Sequence, residues 1–259
     1  MTERPRLLVV ANSQGTPSGL SAPDRYLSYP LQIQALLCEV DCTVWAMSSL
    51  SVETVNSQFL EVVLQHRPNI VVLQCGIIEG CPRILPKRLR AVLEHVVLGR
   101  TLTGFLHKHR VAWLRFLSRL GVQFRDMSIS EFKMHLRDVH AKCRKEGIEL
   151  VLVSIPTLSE EFDRNVVPLA IKVMSHYDAA LLDIARSLDI PDVDAFHGAT
   201  DPKRNSLYLP ASVHFSVAGH TLIARNIANF LTNPAFAARA GQIGGGADAP
   251  AVRAEKREP

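Results

Sequence analysis

Ser13 and His214 are the two residues whose types and surroundings could support covalent chemistry together. Ser13 lies in Ala11-Asn12-Ser13-Gln14-Gly15, where an apolar run ends and the chain turns. A serine hydroxyl becomes a nucleophile only when a base removes its proton, and His214 is the best candidate for that base. Taken alone, each residue fits a turn or helix-cap role. The pair, one at each end of the chain, favours nucleophilic catalysis.

Five short apolar runs predict the strands that position these residues. None of the runs alternates with polar residues, which is typical of strands buried on both faces of a parallel sheet. Helical patterns separate them, and this alternation predicts an α/β fold. We expect a three-layer α/β/α sandwich with a flavodoxin-like parallel sheet of about five strands. The predicted strands are Arg6–Val10, Cys42–Ala46, Ile70–Gln74, Glu149–Ile155 and a weaker Asp192–Phe196.

The helical patterns and the loop lengths predict the domain organisation. Residues 1–232 form one predicted domain, and its segment 84–130 is longer than a simple β-α-β crossover needs. We therefore expect an extra helical hairpin or lid there, over the strand ends. Residues 233–259 are rich in Ala, Gly, Pro and charge, which predicts a disordered C-terminal tail. The predicted helices are Ser28–Glu39, one beginning at Ser51, Leu102–Leu120, Ser130–Lys145, Asn165–Leu188 and Val217–Leu231.

Four polar segments are expected at one edge of this sheet. In open parallel α/β sheets, ligands bind beyond the carboxyl ends of the strands. Three segments follow predicted strands there, and a fourth opens the last helix. They are Asn12–Gly15, Ser48–Ser51, Gly76–Glu79 and Ser212–Ser216.

Three segments resemble the sequence blocks of the SGNH/GDSL hydrolases, in the same order. Leu7–Ser13 is similar to their first block, Gly-Asp-Ser after the first strand, with Ala-Asn here in place of Gly-Asp. Val71–Glu79 is similar to the block written Gly-x-Asn-Asp. Val213–His220 is similar to the last block, Asp-x-x-His followed by Gly-His. The resemblance spans roughly residues 6–231.

This resemblance implies an ester or thioester hydrolase, or an acyltransferase. Ser13 would be the nucleophile and His214 the general base. The second-block glycine, a backbone oxyanion donor, falls near Ser49. Gly76 and Glu79 of the third block are expected in oxyanion or substrate binding, and Arg83 nearby is a candidate to bind an anionic substrate group.

The sequence also departs from the family pattern at polar site residues. The acid three positions before the histidine falls on Ala211, and the third-block asparagine falls on Ile78. Losing one oxyanion donor typically costs roughly 10²–10³ in rate. A missing triad acid costs on the order of 10⁴ in the serine protease template. Asp194 and Asp201 precede His214 and are candidates to reach its Nδ1 in place of the missing acid.

Two non-catalytic hypotheses stand beside the hydrolase. One is a degenerate SGNH domain that binds a ligand or partner, which the lost acid and donors favour. The other is a flavodoxin-like protein that binds phosphate through residues 12–16, which the absence of a Walker lysine and of G-x-G-x-x-G disfavours.

A run of basic residues and histidines in the insertion has two interpretations. It could bind an acidic carrier protein or another anionic partner, or it could be the solvated face of a long helix. The residues are Arg100, His107, Lys108, His109, Arg110, Arg115 and Arg119.

The composition of the chain limits the classes of binding partner and the cellular compartment that we expect. The net charge of +4 is too small and too dispersed to indicate nucleic-acid binding. No stretch approaches 18 apolar residues, and no signal-peptide pattern opens the chain, so we expect neither membrane nor export. Five cysteines without C-x-x-C spacing predict reduced thiols in the cytoplasm. We expect no metal or cofactor and a small-molecule or carrier-bound acyl substrate, and the oligomeric state stays open.

Overall fold

The protein contains one parallel five-stranded sheet in the order β2-β1-β3-β4-β5. The computed structural model describes residues 4–95, 101, 104–106, 108–199 and 205–244. This strand order is that of flavodoxin-like folds, in which the chain reverses direction of winding between β1 and β3. The predicted fold class is confirmed. The strands are β1 (Arg6–Ala11), β2 (Asp41–Ala46), β3 (Ile70–Gln74), β4 (Glu149–Val153) and β5 (Asp192–Val193).

Helices cover both faces of the sheet. On one face α1 packs against α9, and on the other α6 packs between α2 and α8. None of the described helices is long and apolar enough to cross a membrane. The α-helices are α1 (Tyr29–Leu36), α2 (Val52–Ser57), α3 (Ile77–Gly80), α4 (Lys87–Glu94), α5 (Arg110–Arg119), α6 (Ile129–Lys145), α7 (Glu160–Asn165), α8 (Ala170–Ser187), α9 (Val217–Leu231) and α10 (Pro234–Gly244). Shorter 3₁₀ turns lie at Ser13–Gly15, Ala22–Leu27, Leu64–His66 and Asn205–Leu207, and a π-helical turn at Phe59–Val63.

The central strands form the middle of the core. Residues 7–11 of β1 and 149–153 of β4 are buried along their whole length. Side chains on both faces of these strands meet helices, so the sheet needs apolar residues at consecutive positions. This is why unbroken apolar runs marked the strands in the sequence.

Two predicted helices are interrupted in the structure. The helix predicted over Asn165–Leu188 begins only at Ala170 of α8, and a break separates it from α7, which ends at Asn165. Pro168 has no N–H for a helical hydrogen bond, and Leu169 adopts a left-handed φ of 68°. Similarly, the helix that begins after Ser51 changes to a π-helical turn at Phe59. Burial of Val55, Phe59 and Val63 continues across that change.

The segment 84–130 contributes α4 and α5. Its two ends meet at a β-bridge between Arg83 and Phe124, and Trp113 Nε1 donates to the Ile84 carbonyl at 3.1 Å. Both helices lie in the segment for which a helical insertion was predicted. Its role as a lid stays a prediction, and residues 96–100, 102–103 and 107 lie outside the described residues.

The predicted disorder from residue 233 does not hold for the first part of the tail, because α10 packs on the domain. Phe236 is only 6% exposed and its ring lies 4.9 Å from that of Phe230. Arg239 Nε pairs with Glu149 at 2.9 Å, and its Nη1 pairs with Asp189 at 3.1 Å. Phe236 and Arg239 thus hold α10 against the domain. Its alanine-rich sequence favours a helix, but apolar periodicity alone did not predict one. Residues 245–259 lie outside the described residues.

Replacing the aromatic anchor of α10 tests this packing. We expect Phe236→Ala to lower the free energy of unfolding by about 2–3 kcal/mol, because it removes a buried ring and leaves a cavity. Leu60→Ala is the control, since Leu60 is 69% exposed and its truncation should change stability by less than about 0.5 kcal/mol. Urea denaturation measures both. Equal stabilities for the two variants would show that α10 does not pack on the domain.

Candidate active site

Ser13 occupies a tight turn at the carboxyl end of β1. The side chain of Asn12 accepts from Gln14 N at 2.9 Å and so begins the 3₁₀ turn Ser13–Gly15, called here the Ser13 turn. Gly15 allows close approach to the strand, because a Cβ there would lie 2.4 Å from that of Ala11. Ser13 is half-buried, and within the described part of the chain nothing hydrogen-bonds to its hydroxyl. The turn therefore presents a hydroxyl that a ligand can reach.

A buried chain of hydrogen bonds fastens the Ser13 turn to the loop that carries His214. Tyr29 Oη donates to Gln74 Oε1 at 2.8 Å, and Gln74 Nε2 donates to Gln14 Oε1 at 3.0 Å. Gln14 Nε2 then donates to the Val213 carbonyl at 2.7 Å. Burial raises the pKa of Tyr29, which keeps its hydroxyl a donor. We call this chain the glutamine relay, and it brings the neighbours of Ser13 and His214 into contact.

His214 is held by the hydroxyl of Ser212. Ser212 Oγ lies 3.1 Å from His214 Nδ1 and accepts from the backbone N–H of His214 at 3.0 Å. The imidazole is half-buried, and desolvation lowers its pKa. The ring is therefore neutral at pH 7, as a general base must be. Among the described residues, no direct hydrogen bond joins the Ser13 and His214 side chains.

His220 packs behind His214 as a buried structural residue. Its Nδ1 accepts from Tyr29 N at 3.1 Å, and the Phe215 ring stands edge-on at 5.5 Å. Desolvation, and secondarily the nearby His214, lower the pKa of His220 to about 4. Two neighbouring imidazoles thus both favour the neutral form.

Ser49, at the second-block position, adopts a backbone conformation that suits glycine. Its φ is 65°, in the left-handed region that L-residues seldom adopt, and its side chain is exposed. The family glycine expected near this position would take that conformation without strain.

Gly76 and Glu79 bind each other instead of facing a substrate. Glu79 is 1% exposed; its Oε2 accepts from Gly76 N at 2.7 Å and its Oε1 from Val52 N at 2.6 Å. Desolvation raises the pKa of Glu79, opposed by these backbone donors. A buried carboxylate needs such donors, so Glu79 ties the loop after β3 to the start of α2. Gly76 has a φ of 104°, and a Cβ there would lie 2.1 Å from Ile155 Cδ1, so only glycine fits.

Arg83 lies at the same edge of the sheet, in a cavity wall together with Ser49 and Ile78. Its Nε donates to Asp126 Oδ2 at 2.7 Å, and its Nη2 donates to the Ile78 carbonyl at 3.2 Å. The guanidinium is thus held in one orientation beside the open space.

Asp194, one of the two acids predicted to reach His214 Nδ1, bonds elsewhere. Asp194 is exposed and accepts from Phe196 N at 2.9 Å, so it closes a turn after β5, while Ser212 is the partner of His214 Nδ1. Asp201 lies outside the described residues. Ala211, where the family carries its acid, has a left-handed φ of 49°, and Ile78 offers no side-chain donor.

Three polar residues of the site, Gln14, Gln74 and Ser212, received no role in the sequence analysis, although two of them lie in segments expected at this edge. Gln74 ends the buried strand β3, Gln14 lies in the turn after β1, and they are 2% and 1% exposed. A glutamine at the end of an apolar strand was the available signal, since buried amides need partners. In the part of the chain that the structure describes, no three His, Cys, Asp or Glu side chains converge as a metal site.

Comparison with known proteins adds evidence from structure but not from sequence. No protein-family model and no curated protein matches the sequence. The lipase/acylhydrolase from Enterococcus faecalis matches with a TM-score of 0.59 at 14% identity, over 88% of this chain and 95% of that one. A catalytic mutant of an acetylxylan esterase from Geobacillus stearothermophilus gives 0.59 at 16% identity, over 90% and 96%. This chain has the SGNH/GDSL hydrolase fold.

A GDSL-like lipase from Bacteroides thetaiotaomicron matches less closely, with a TM-score of 0.56 at 12% identity over 88% of each chain. The resemblance that three sequence blocks indicated is therefore confirmed at the level of the SGNH fold. Identities this low speak to the fold alone, so any SGNH chemistry has to be argued from the residues themselves.

A substitution that breaks the glutamine relay tests how much the relay contributes to the stability of the fold. We expect Gln14→Leu to lower the free energy of unfolding by about 2–3 kcal/mol, because the buried Gln74 amide and the Val213 carbonyl lose their partner. Gln58→Leu is the matched control at an exposed position. Urea denaturation compares the two variants with the parent. A loss no greater than that of the control would mean that the relay does not stabilise the fold.

Proposed function

We propose that this protein is a serine hydrolase of the SGNH type that acts on esters or thioesters through Ser13 and His214. The observation that carries the proposal is the 2.7 Å hydrogen bond from Gln14 to the Val213 carbonyl, which joins the residues next to Ser13 and His214. Both lie beyond the carboxyl end of β1, beside the β1–β3 switch point where open α/β sheets bind ligands. In unliganded enzymes the catalytic hydrogen bond is often long and tightens with substrate.

The reaction would proceed in two halves. Ser13 Oγ attacks the acyl carbonyl while His214 Nε2 takes its proton, and a tetrahedral oxyanion forms. His214 returns the proton to the departing alcohol or thiol, which leaves an acyl-serine. Water, or another nucleophile in acyl transfer, then attacks this ester with His214 again as base. The balance requires no cofactor.

Ser212 would hold His214 in the productive tautomer. If Nδ1–H donates to Ser212 Oγ, then Nε2 is left free to accept the proton from Ser13. A neutral hydroxyl orients the ring but does not neutralise the imidazolium that forms during attack. We therefore infer slower turnover than an aspartate would allow, and a preference for good leaving groups such as thiols and phenols.

The oxyanion would be stabilised by backbone donors only. The N–H groups of Ser13 and Ser49 are our candidates, because the left-handed Ser49 matches the role of the second-block glycine. Ile78 leaves the third donor position without a polar group. This again predicts modest rates.

A non-catalytic SGNH domain is the second candidate function. Ala211 and Ile78 in place of polar site residues favour it, as does the lack of a direct bond between the described Ser13 and His214 side chains. Such a domain would bind the same acyl compounds or a carrier protein without turnover. Its location in the cytoplasm, like that of the enzyme, stays a prediction.

Covalent labelling separates the two candidates. We expect a fluorophosphonate probe to label Ser13 stoichiometrically and Ser13→Ala to abolish hydrolysis of 4-nitrophenyl acetate. Ser57→Ala is the control, because among the described residues that hydroxyl donates only to the Thr54 carbonyl in α2. Mass spectrometry of the labelled peptide and release of nitrophenol give the readouts. An unlabelled parent, or a Ser13→Ala variant as active as the parent, would contradict the proposal.

Returning an acid to position 211 tests the role of His214. Desolvation lowers the pKa of His214, so the acidic limb of kcat/KM should fall below pH 6.5, the ordinary value for histidine. In Ala211→Asp a carboxylate near Nδ1 favours the imidazolium, so the limb should move to higher pH and the plateau rate should rise by at least about tenfold.

Asparagine is the matched control at position 211, because it also tolerates the left-handed backbone but carries no charge. Ala211→Asn should leave the pH profile of the parent unchanged. An Asp variant whose limb and rate match those of the Asn variant would argue against His214 as the base.

A further inference from the structure

A cavity of about 420 Å³ opens beside the proposed oxyanion loop. Ser49, the proposed oxyanion donor after β2, and Ile78 of α3 are among the residues that line it. Arg83, from the loop before α4, and Lys87 and Arg90, from α4 itself, line the same cavity. We call this space the basic cavity. A group bound in it would lie next to an ester held at the edge of the sheet.

Two arginines of the basic cavity share one acidic partner. Arg83 Nη2 pairs with Asp126 Oδ2 at 2.5 Å, and Arg90 Nη2 pairs with Asp126 Oδ1. The side chains of Arg83, Arg90 and Asp126 are 24%, 25% and 15% exposed. One carboxylate thus faces two partly buried guanidinium groups, which leaves one positive charge in excess where water screens it poorly.

The remaining acids of the cavity bond to groups other than these two arginines. Both oxygens of Glu79 are taken by backbone N–H groups, and burial raises its pKa. Glu53 pairs with Lys87 at 2.8 Å in an exposed ion pair. Arg110 lies close enough to Arg83 for repulsion to add to burial in lowering its pKa, so another cation stands nearby.

We infer that the basic cavity binds an anionic group, a carboxylate or a phosphate, on the substrate of the proposed hydrolase. This inference rests on the proposed function for the reaction and adds the class of substrate. Asp126 holds both guanidinium groups in place before a ligand arrives, so little ordering is lost when a second anion binds to them. Arginine pairs suit planar or tetrahedral oxyanions, which they bind through two parallel N–H donors.

Two substrate pairs test the inference and locate the anion. Mono-4-nitrophenyl adipate against 4-nitrophenyl hexanoate places the charge on the acyl side. Potassium 4-acetoxybenzoate against 4-acetoxybenzamide places it on the alcohol side. In each pair the ratio of kcat/KM for the charged ester to that for the neutral ester is measured, with spontaneous hydrolysis subtracted.

Arg90→Gln is the main variant, because Arg83 still pairs with Asp126 when it is made. We expect the parent to favour the charged ester in at least one pair and Arg90→Gln to lower that ratio by about tenfold, as loss of a charge-assisted hydrogen bond does. Arg119→Gln removes the same charge from an exposed site outside the cavity and should keep the ratio of the parent.

The outcomes separate this inference from the proposed function. No preference for either charged ester, or a preference that Arg90→Gln leaves intact, overturns the inference while hydrolysis of the neutral esters still supports the function. If the parent hydrolyses none of the esters, the proposed function fails, and calorimetric titration with adipate and with phosphate decides the inference. Binding that Arg90→Gln abolishes and Arg119→Gln retains supports it, and equal binding by all three proteins overturns it.

Discussion

The need of buried amides for partners determines how the two ends of this chain meet. Gln14 and Gln74 end up inside the domain, where neither side chain can bond to water. Each therefore bonds to the other, and the free ends of the pair reach Tyr29 on one side and the Val213 carbonyl on the other. Few other arrangements of these loops would leave no amide unpaired. The position of His214 relative to Ser13 thus depends on groups that take no part in the proposed chemistry.

The group that orients the His214 imidazole carries no charge that could stabilise the imidazolium. In the SGNH pattern an acid both aims the imidazole and stabilises its charged form, whereas Ser212 here supplies a hydroxyl that only aims it. Desolvation lowers the pKa of both His214 and His220, so both rings favour the neutral form in the resting protein. In such a site the neutral imidazole can accept a proton, but no nearby negative charge stabilises the imidazolium that results. Substrates that ionise easily on departure fit such a site best.

Sequence patterns predicted the sheet well because consecutive apolar residues are a local signal. The range Ile70–Gln74 matches β3 to the residue, and the predicted turn that carries Ser13 follows β1. The relay was not predictable, since it depends on which distant glutamine Gln14 meets. Glu79 and Gly76 looked like ligand-facing residues for a related reason: the backbone donors that occupy Glu79 become adjacent only in the folded chain. The packing of α10 rests on one aromatic residue in alanine-rich sequence, which periodicity cannot detect.

The attachment of α10 has a practical consequence for handling the protein. Arg239 meets Glu149, the first residue of β4, and Asp189, which precedes β5. These residues mark the amino edge of the sheet, whereas Ser13 and His214 stand at the carboxyl edge. The contacts of Arg239 that dock α10 therefore lie at the opposite edge of the sheet from the proposed site. A solid support or fluorescent fusion joined after Gly244 would leave the route to Ser13 open.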